Sequence, residues 1–350
     1  MAKNDPALFL QIHKPPVLID EVQYAPELFT YIKMHIDKHH NPGDFWMTGS
    51  QIFRLMQGVR ESLAGRVALL HMSPMSQREI VGAPCVPFST DFDRLLSESK
   101  SFAPVSTPEM FKRIWNGSMP GIVSGQYAER NIYYSSYIST YIERDIRDIS
   151  GSVDALKFNR FITAVAARTS QLLNYKALAD DADIDMNTAK AWVNILETLG
   201  IIFLLPPYSN NVLKRTVKTP KVYFYDTGLV CYLTKWSSPE VAECGAMSGA
   251  LLENFVVSEI MKSYQNAGLE PYIYFYRDRD AKEIDVVIEG DGKLCPPEIK
   301  KAASPDKRII KTFGVLGKAS TEIGTGAVLC MAEQLGAFDR DNLIVPVWMI

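Results

Sequence analysis

The chain is 350 residues long, 47% apolar and 22% charged, with a formal net charge of -3. This composition supplies ordinary globular cores and excludes wholesale disorder, and the length admits two or three domains. It also excludes a global basic field, so a nucleic-acid partner would have to be met by a local patch. Cys85, Cys231, Cys244, Cys295 and Cys330 are scattered and odd in number. That argues against a disulfide framework or a structural zinc site and fits a reducing, cytoplasmic setting. The opening MAKNDPALFLQIHK has no apolar core of signal-peptide length, and no run approaches a membrane span, so no membrane partner is expected.

In chain order, residues 16–82 read as alternating strands and helices. VLID is strand-like, and PELFTYIKMHIDKH puts Leu28, Tyr31, Ile32 and Ile36 on one helical face. NPGD is a turn, FWMTGS a second buried strand, QIFRLMQGV a short helix and VALLHMSPM a third strand. This βαβαβ order predicts a parallel sheet. Residues 83–108 are rich in Pro, Ser and Thr and read as a junction or lid, followed by one long helical segment, YAERNIYYSSYISTYIERDIRDIS. Three helices follow in FNRFITAVAARTSQLL and NYKALADDADIDMNTAKAWVNILETLG. The strands IIFLLPPY and KVYFYD then flank a polar loop. A third unit has the helix GALLENFVVSEIMKSYQNAG, the strands YIYFYRD, EIDVVIE and CPPEIKK, a helix, AVLCMA and a final strand, LIVPVWMI.

Three stretches carry chemistry. In the first, an apolar strand ends in Asp20 and Glu21, and the next strand ends in Ser50. In phosphate-loop ATPases such an Asp orients magnesium and the adjacent Glu polarises the attacking water, at the edge where α/β sheets bind ligands. Arg66, in ESLAGRV, is a candidate charge sensor. The structural alternative is an acid pair that caps the following helix. The 350 residues hold no G-x-x-x-x-G-K-[ST]; Gly314–Ser320 has two residues between its glycines where four are needed. Hydrolysis of ATP by this chain alone is therefore not expected.

In the second stretch, ALADDADIDMNTAKAWVNILETLG has the shape of a helix-turn-helix. Asn187 or Thr188 caps its second helix, and Ala191, Trp192, Ile195, Leu196 and Leu199 form the apolar face. Two strands follow, which makes a winged helix. Lys214, Arg215, Lys218 and Lys221 form a local basic patch, with Lys190 on the helix, suited to phosphate backbones. The alternative is an interdomain spacer. Asp226-Thr227-Gly228 resembles an aspartic-protease triplet, but it occurs once and leads into an apolar helix, so Asp226 is expected to be an N-cap.

In the third stretch, Glu253 lies on a helix, Asp285 on a strand, and Glu298 and Lys300 two apart on the next strand, hence on one face. Two carboxylates and a lysine suit magnesium-dependent hydrolysis of a phosphodiester. Against it stands a surface hairpin of alternating charge. Pro296 and Pro297 predict an irregularity at this point.

PVLIDEVQYAPELF, FWMTGSQ, SLAGRV, YISTYIERDIRD, PKVYFYDTGL and EIDVVIE…EIKK together make the whole chain resemble a prokaryotic family of AAA-type ATP-binding proteins with a conserved C-terminal domain of unknown function. The resemblance implies an α/β chain with a partial parallel-sheet ATPase core (1–82), a junction and helical lid (83–150), a winged helix (151–235) and a restriction-endonuclease-like C-terminal domain similar to PD-(D/E)-x-K nucleases (245–350). It implies nucleotide contacts by Asp20, Glu21, Ser50 and Arg66, and metal contacts by Asp20, Glu253, Asp285 and Glu298. Glu21 and Lys300 would be catalytic. Mg2+ and ATP are the implied cofactors, and DNA and a second copy of the chain the implied partners. The family's first strand and phosphate loop are not among these residues.

Overall fold

The computed structural model describes residues 1–49, 59, 62–142, 146, 154–209, 219–278, 280–318 and 321–350. Two compact units emerge: Met1–Met72 with Arg144–Ser152, and Ser73–Glu143 with Val153–Ile350. The architecture is mixed α/β with several small sheets.

The first unit opens with α1 (Pro6–Ile12), whose first turn is capped by Asp5 accepting from the Leu8 amide at 2.9 Å. β1 (Val17–Ile19), α2 (Leu28–His39) and β2 (Phe45–Met47) follow, and β1 pairs in parallel with β2, Leu18 opposite Trp46. Ile19, Val22, Leu28, Phe29 and Ile32 bury against Val59 and Leu63. Tyr31, expected on the buried face, is exposed; Phe29 takes that place, so the apolar stripe of α2 is rotated from the one the periodicity suggests. The expected third strand does not form: residues 67–75 hold no strand, with Leu70 75% and Met72 99% exposed. An apolar run becomes a strand only where a neighbouring edge takes up its backbone groups. Most of the expected QIFRLMQGV helix lies outside the described residues.

In the second unit, α3 (Thr107–Asn116) and α4 (Arg130–Tyr137) precede a bundle of α5 (Ala155–Ala166), α6 (Tyr175–Ala182) and α7 (Met186–Thr198). The long helix expected after residue 127 gives way at Ile138–Ile142 to a wider π turn. Trp192 of α7 meets Phe158 and Phe161 edge-on, at 5.4 and 5.2 Å between ring centres. Asp183, in the left-handed region at φ 54, turns the chain from α6 to α7. The cap of α7 is Asp185, which accepts from the Asn187 and Thr188 amides at 2.8 and 3.0 Å, rather than Asn187 or Thr188 itself. Ala191 is exposed, and Ala189 and Val193 complete the buried face instead. β3 (Gln171–Leu172), β4 (Ile202–Leu205) and β5 (Lys221–Phe224) form an antiparallel sheet with β5 in the middle.

After β5, α8 (Thr227–Leu233) is capped by Asp226 as expected, through the Leu229 amide at 2.7 Å. Thr227 donates its hydroxyl to the Ile114 carbonyl at 2.8 Å. At Gly228 a Cβ would lie 2.5 Å from the Asn116 carbonyl oxygen and 2.7 Å from the Gly117 Cα, so only glycine fits. The Asp-Thr-Gly triplet is thus a packing junction between α3 and α8.

α9 (Ser248–Asn266) is buried around nearly its whole circumference, as a central helix must be. Asn254 on it accepts from the Phe224 amide at 2.7 Å and donates to the Phe224 carbonyl at 2.9 Å, clamping β5 to the helix. After α9 the chain forms two four-stranded sheets. One contains β6 (Ile273–Arg277), β7 (Glu283–Gly290), β8 (Lys293–Cys295) and β10 (Glu322–Ile323). The other contains β9 (Pro297–Lys300), β11 (Gly326–Cys330), β12 (Gly336–Asp339) and β13 (Asn342–Pro346). Pro296 falls where the chain leaves the first sheet at β8 and enters the second at β9. The irregularity read from the two prolines is a change of sheet, where a missing donor costs no ladder bond.

Candidate functional sites

The first candidate site lies at the carboxyl edge of β1 and β2. The Thr48 hydroxyl donates to Asp20 and accepts from the Glu21 amide at 3.2 Å, while the Thr48 amide donates to the Ile19 carbonyl at 3.0 Å. Asp20 is exposed. Glu21 takes a left-handed conformation, φ 51, which turns the chain sharply off the strand, and its carboxylate accepts from the side-chain Nε2 of Gln23. The oxygens of Asp20 and Thr48 are hard donors of the kind that hold magnesium through its water shell. Thr48 is the polar partner that the sequence reading passed over in favour of Ser50, which lies outside the described residues.

Arg66 is elsewhere. Its guanidinium pairs with Asp37 in the last turn of α2. In a parallel β-α-β crossover the helix runs back against the strands. Asp37 therefore belongs to the end of the helix that follows the strand tip, and the ion pair with it is the charged contact the structure gives Arg66.

The second candidate site is built in the second unit from three strands and a helix. Residues two apart on a strand share a face, and each strand delivers one such pair: Lys221 and Tyr223 from β5, Glu283 and Asp285 from β7, Glu298 and Lys300 from β9. Glu253 of α9 closes the group. Lys221 Nζ lies 2.9 Å from Glu253 Oε1, 2.6 Å from Glu283 Oε1 and 3.9 Å from Asp285 Oδ1. The Tyr223 hydroxyl donates to Glu253 Oε1 at 2.7 Å. Lys300 Nζ lies 2.7 Å from Glu298 Oε1 and 3.8 Å from Asp285 Oδ2. Between β7 and β9 the two acids stand in for a backbone ladder. The Asp285 amide donates to Glu298 at 3.2 Å, and the Ile299 amide donates to Asp285 at 3.0 Å.

Burial and the neighbouring Asp285 push Glu253 and Glu298 up to about 7. Burial works against the Lys221 ammonium, but Glu253, Asp285 and Glu283 outweigh it and hold that lysine above its usual range. Lys300 is raised for the same reason by Asp285 and Glu298. Burial and Glu253 keep the Tyr223 phenol firmly protonated.

The structure thus brings Glu253, Asp285, Glu298 and Lys300 into one cluster. It adds Glu283 and Tyr223, which the sequence reading missed, although the i, i+2 spacing from Asp285 could have found Glu283. Lys221, read as part of a local basic patch suited to phosphate backbones, is buried inside this cluster with its side chain 4% exposed. Lys190 is exposed, its ammonium 5.8 Å from the Tyr175 ring centre. Lys214, Arg215 and Lys218 lie outside the described residues. Among the described residues, no three His, Cys, Asp or Glu side chains are arranged to hold a metal ion.

Residues 1–81 match a family model described as an AAA domain. Residues 107–240 match a domain of unknown function (DUF8612), and residues 248–350 another (DUF4143). The first and last of these matches support an AAA-type, ATPase-like family. An uncharacterized protein of Mycobacterium tuberculosis, Rv2008c, is 27% identical over 304 residues, which is 86% of this chain and 62% of that protein. An uncharacterized protein of Mycobacterium bovis, Mb2031c, matches to the same extent. The chain therefore spans about 62% of the length of these relatives. No solved structure matches it. No helix among the described residues is long and apolar enough to cross a membrane.

Proposed function

We propose that the chain is a relative of AAA-type ATP-binding proteins, without the phosphate-loop motif among its residues, whose first unit contributes the magnesium- and water-orienting half of a nucleotide site, and whose second unit is a nucleic-acid-associated module. The observation that carries the first part is the Asp20–Thr48 hydrogen bond across the carboxyl edge of a parallel strand pair, with Glu21 beside it. Asp20 and Thr48 would hold magnesium, which would neutralise charge on the bound phosphates. Glu21 is the candidate acceptor that orients water. The backbone cradle of a phosphate loop supplies most of the charge-assisted hold on a triphosphate, and these 350 residues contain none. In isothermal titration, this chain is therefore expected to bind Mg-ATP no tighter than about millimolar, and Asp20→Asn/Glu21→Gln to remove what binding there is. Micromolar binding unchanged in the double variant would sink the assignment.

The order of α5, β3, α6, α7, β4 and β5, with its three-stranded antiparallel sheet, supports a winged-helix reading of residues 151–235. The exposed Lys190 is its described candidate for a DNA backbone contact. A second reading makes residues 245–350 a nuclease related to PD-(D/E)-x-K enzymes. It is favoured by the meeting of Asp285, Glu298 and Lys300 on one face. The carboxylates do not fit magnesium as they stand, because lysine ammoniums and backbone amides occupy them, so no hydrolytic step is derived through a metal. Incubation with supercoiled plasmid and Mg2+ separates the readings. A non-cleaving module shifts the band without nicking it, whereas a nuclease nicks the plasmid and loses the activity in Lys300→Ala.

A further inference from the structure

A buried lysine ammonium costs several kcal/mol unless carboxylates surround it, and Lys221 is surrounded on three sides. Its Nζ sits among Glu253, Glu283 and Asp285, from two different elements, with a side-chain exposure of 4%. Lys221 lies in the middle strand of its sheet, opposite Leu172 on one side and Leu205 on the other. The Phe275 ring centre is 5.7 Å from the ammonium. Three residues on, Asn254 clamps both backbone groups of Phe224 to the helix that carries Glu253. The ammonium is thereby held in place by the fold rather than by a mobile side chain. The three acids face the ammonium at 2.6–3.9 Å, whereas magnesium would have to draw its oxygen ligands in to about 2.0–2.1 Å.

We propose that Lys221 is the resident cation of this acidic cluster, filling the seat between Glu253, Glu283 and Asp285 that a divalent ion would otherwise take. The cluster is then complete without metal, and a divalent-ion site is latent beneath the lysine. This rests on the reading of the second unit as a non-cleaving nucleic-acid-associated module and deepens it, since the acids keep their arrangement while the metal position is closed. The cation comes from the segment that matches one domain family (107–240) and the acids from the segment that matches another (248–350), so the seat is complete only when β5 docks on α9.

The test is a Mn2+ titration at constant ionic strength, followed by the electron paramagnetic resonance signal of the free ion. It is run on the wild-type chain, on Lys221→Met, and on the charge-balanced Lys221→Met/Glu283→Gln, with circular dichroism to confirm folding. In the wild type, no Mn2+ site that Glu253→Gln or Asp285→Asn removes is expected. Each folded Lys221 variant should gain one site with a Kd at least about tenfold lower than any site in the wild type, equivalent to about 1.4 kcal/mol. Adding Asp285→Asn should abolish the gained site. A wild-type Mn2+ site sensitive to Glu253→Gln or Asp285→Asn would overturn the proposal, even if neither Lys221 variant folds. So would a folded Lys221 variant that gains no site. The readout is independent of DNA: a chain that neither binds nor cuts plasmid defeats the module reading and leaves the resident lysine standing, and plasmid binding with a wild-type Mn2+ site does the reverse.

Discussion

Replacing Asp226 by alanine is expected to lower the unfolding free energy by about 3–5 kcal/mol, because several buried donors lose their acceptor at once. Oδ1 accepts from the Leu229 amide and the Tyr134 hydroxyl, each at 2.7 Å, and Oδ2 accepts from the Ser118 amide at 2.7 Å. The residue is 2% exposed, so water cannot take over those bonds. Each unsatisfied buried donor costs about 1–3 kcal/mol, and the contributions overlap because the donors share one side chain. Asp226→Asn keeps an acceptor oxygen and should lose about 1–2 kcal/mol. Urea denaturation followed by far-ultraviolet circular dichroism measures both. A loss below about 1 kcal/mol in the alanine variant would mean that the junction is held by α3 and α8 packing alone.

Raising the pH from 5 to 8 is expected to destabilise the second unit. Burial and the neighbouring Asp285 carboxylate push Glu253 and Glu298 up to about 7, whereas an unfolded glutamate titrates near 4.5. Between those values the folded cluster holds a proton that the unfolded chain has released. The stability tied to that proton is fully present below about pH 4.5 and is lost as pH rises through about 7. One proton changes stability by about 1.4 kcal/mol per pH unit, so a total loss of about 2–4 kcal/mol is expected for the cluster titrating as a group. Glu253→Gln mimics the protonated form of one of the two raised groups and should make the profile shallower, since Glu298 remains raised by burial and Asp285. Denaturation midpoints at pH 5, 6, 7 and 8 for both proteins decide it, and a wild-type midpoint that rises over this range would refute the assignment.

How far the sequence reached depended on the range of the interaction. Asp226 was legible as a cap because capping is decided within three residues by one side chain and one amide. The i, i+2 spacing of Glu298 and Lys300 implied a shared face, since strand geometry leaves two residues apart on one side. The same logic failed for the apolar run at residues 67–75, where a strand also needs a neighbouring edge. It failed for Tyr31 too, since the direction of the core is a property of the packed unit.

What the sequence by itself determined is the acidic strand end at Asp20 and Glu21, the helix pair around Trp192, and the carboxylates and lysine of the last unit. Each follows from local periodicity, capping or spacing. The tertiary structure alone decided that Thr48 meets Asp20, that Arg66 pairs with Asp37, and that Lys221 leaves a basic stretch to lie among Glu253, Glu283 and Asp285. These are contacts between residues 28 to 64 positions apart. A charge read along the chain shows only its sequence neighbours, whereas burial makes the choice of partner in space a matter of several kcal/mol.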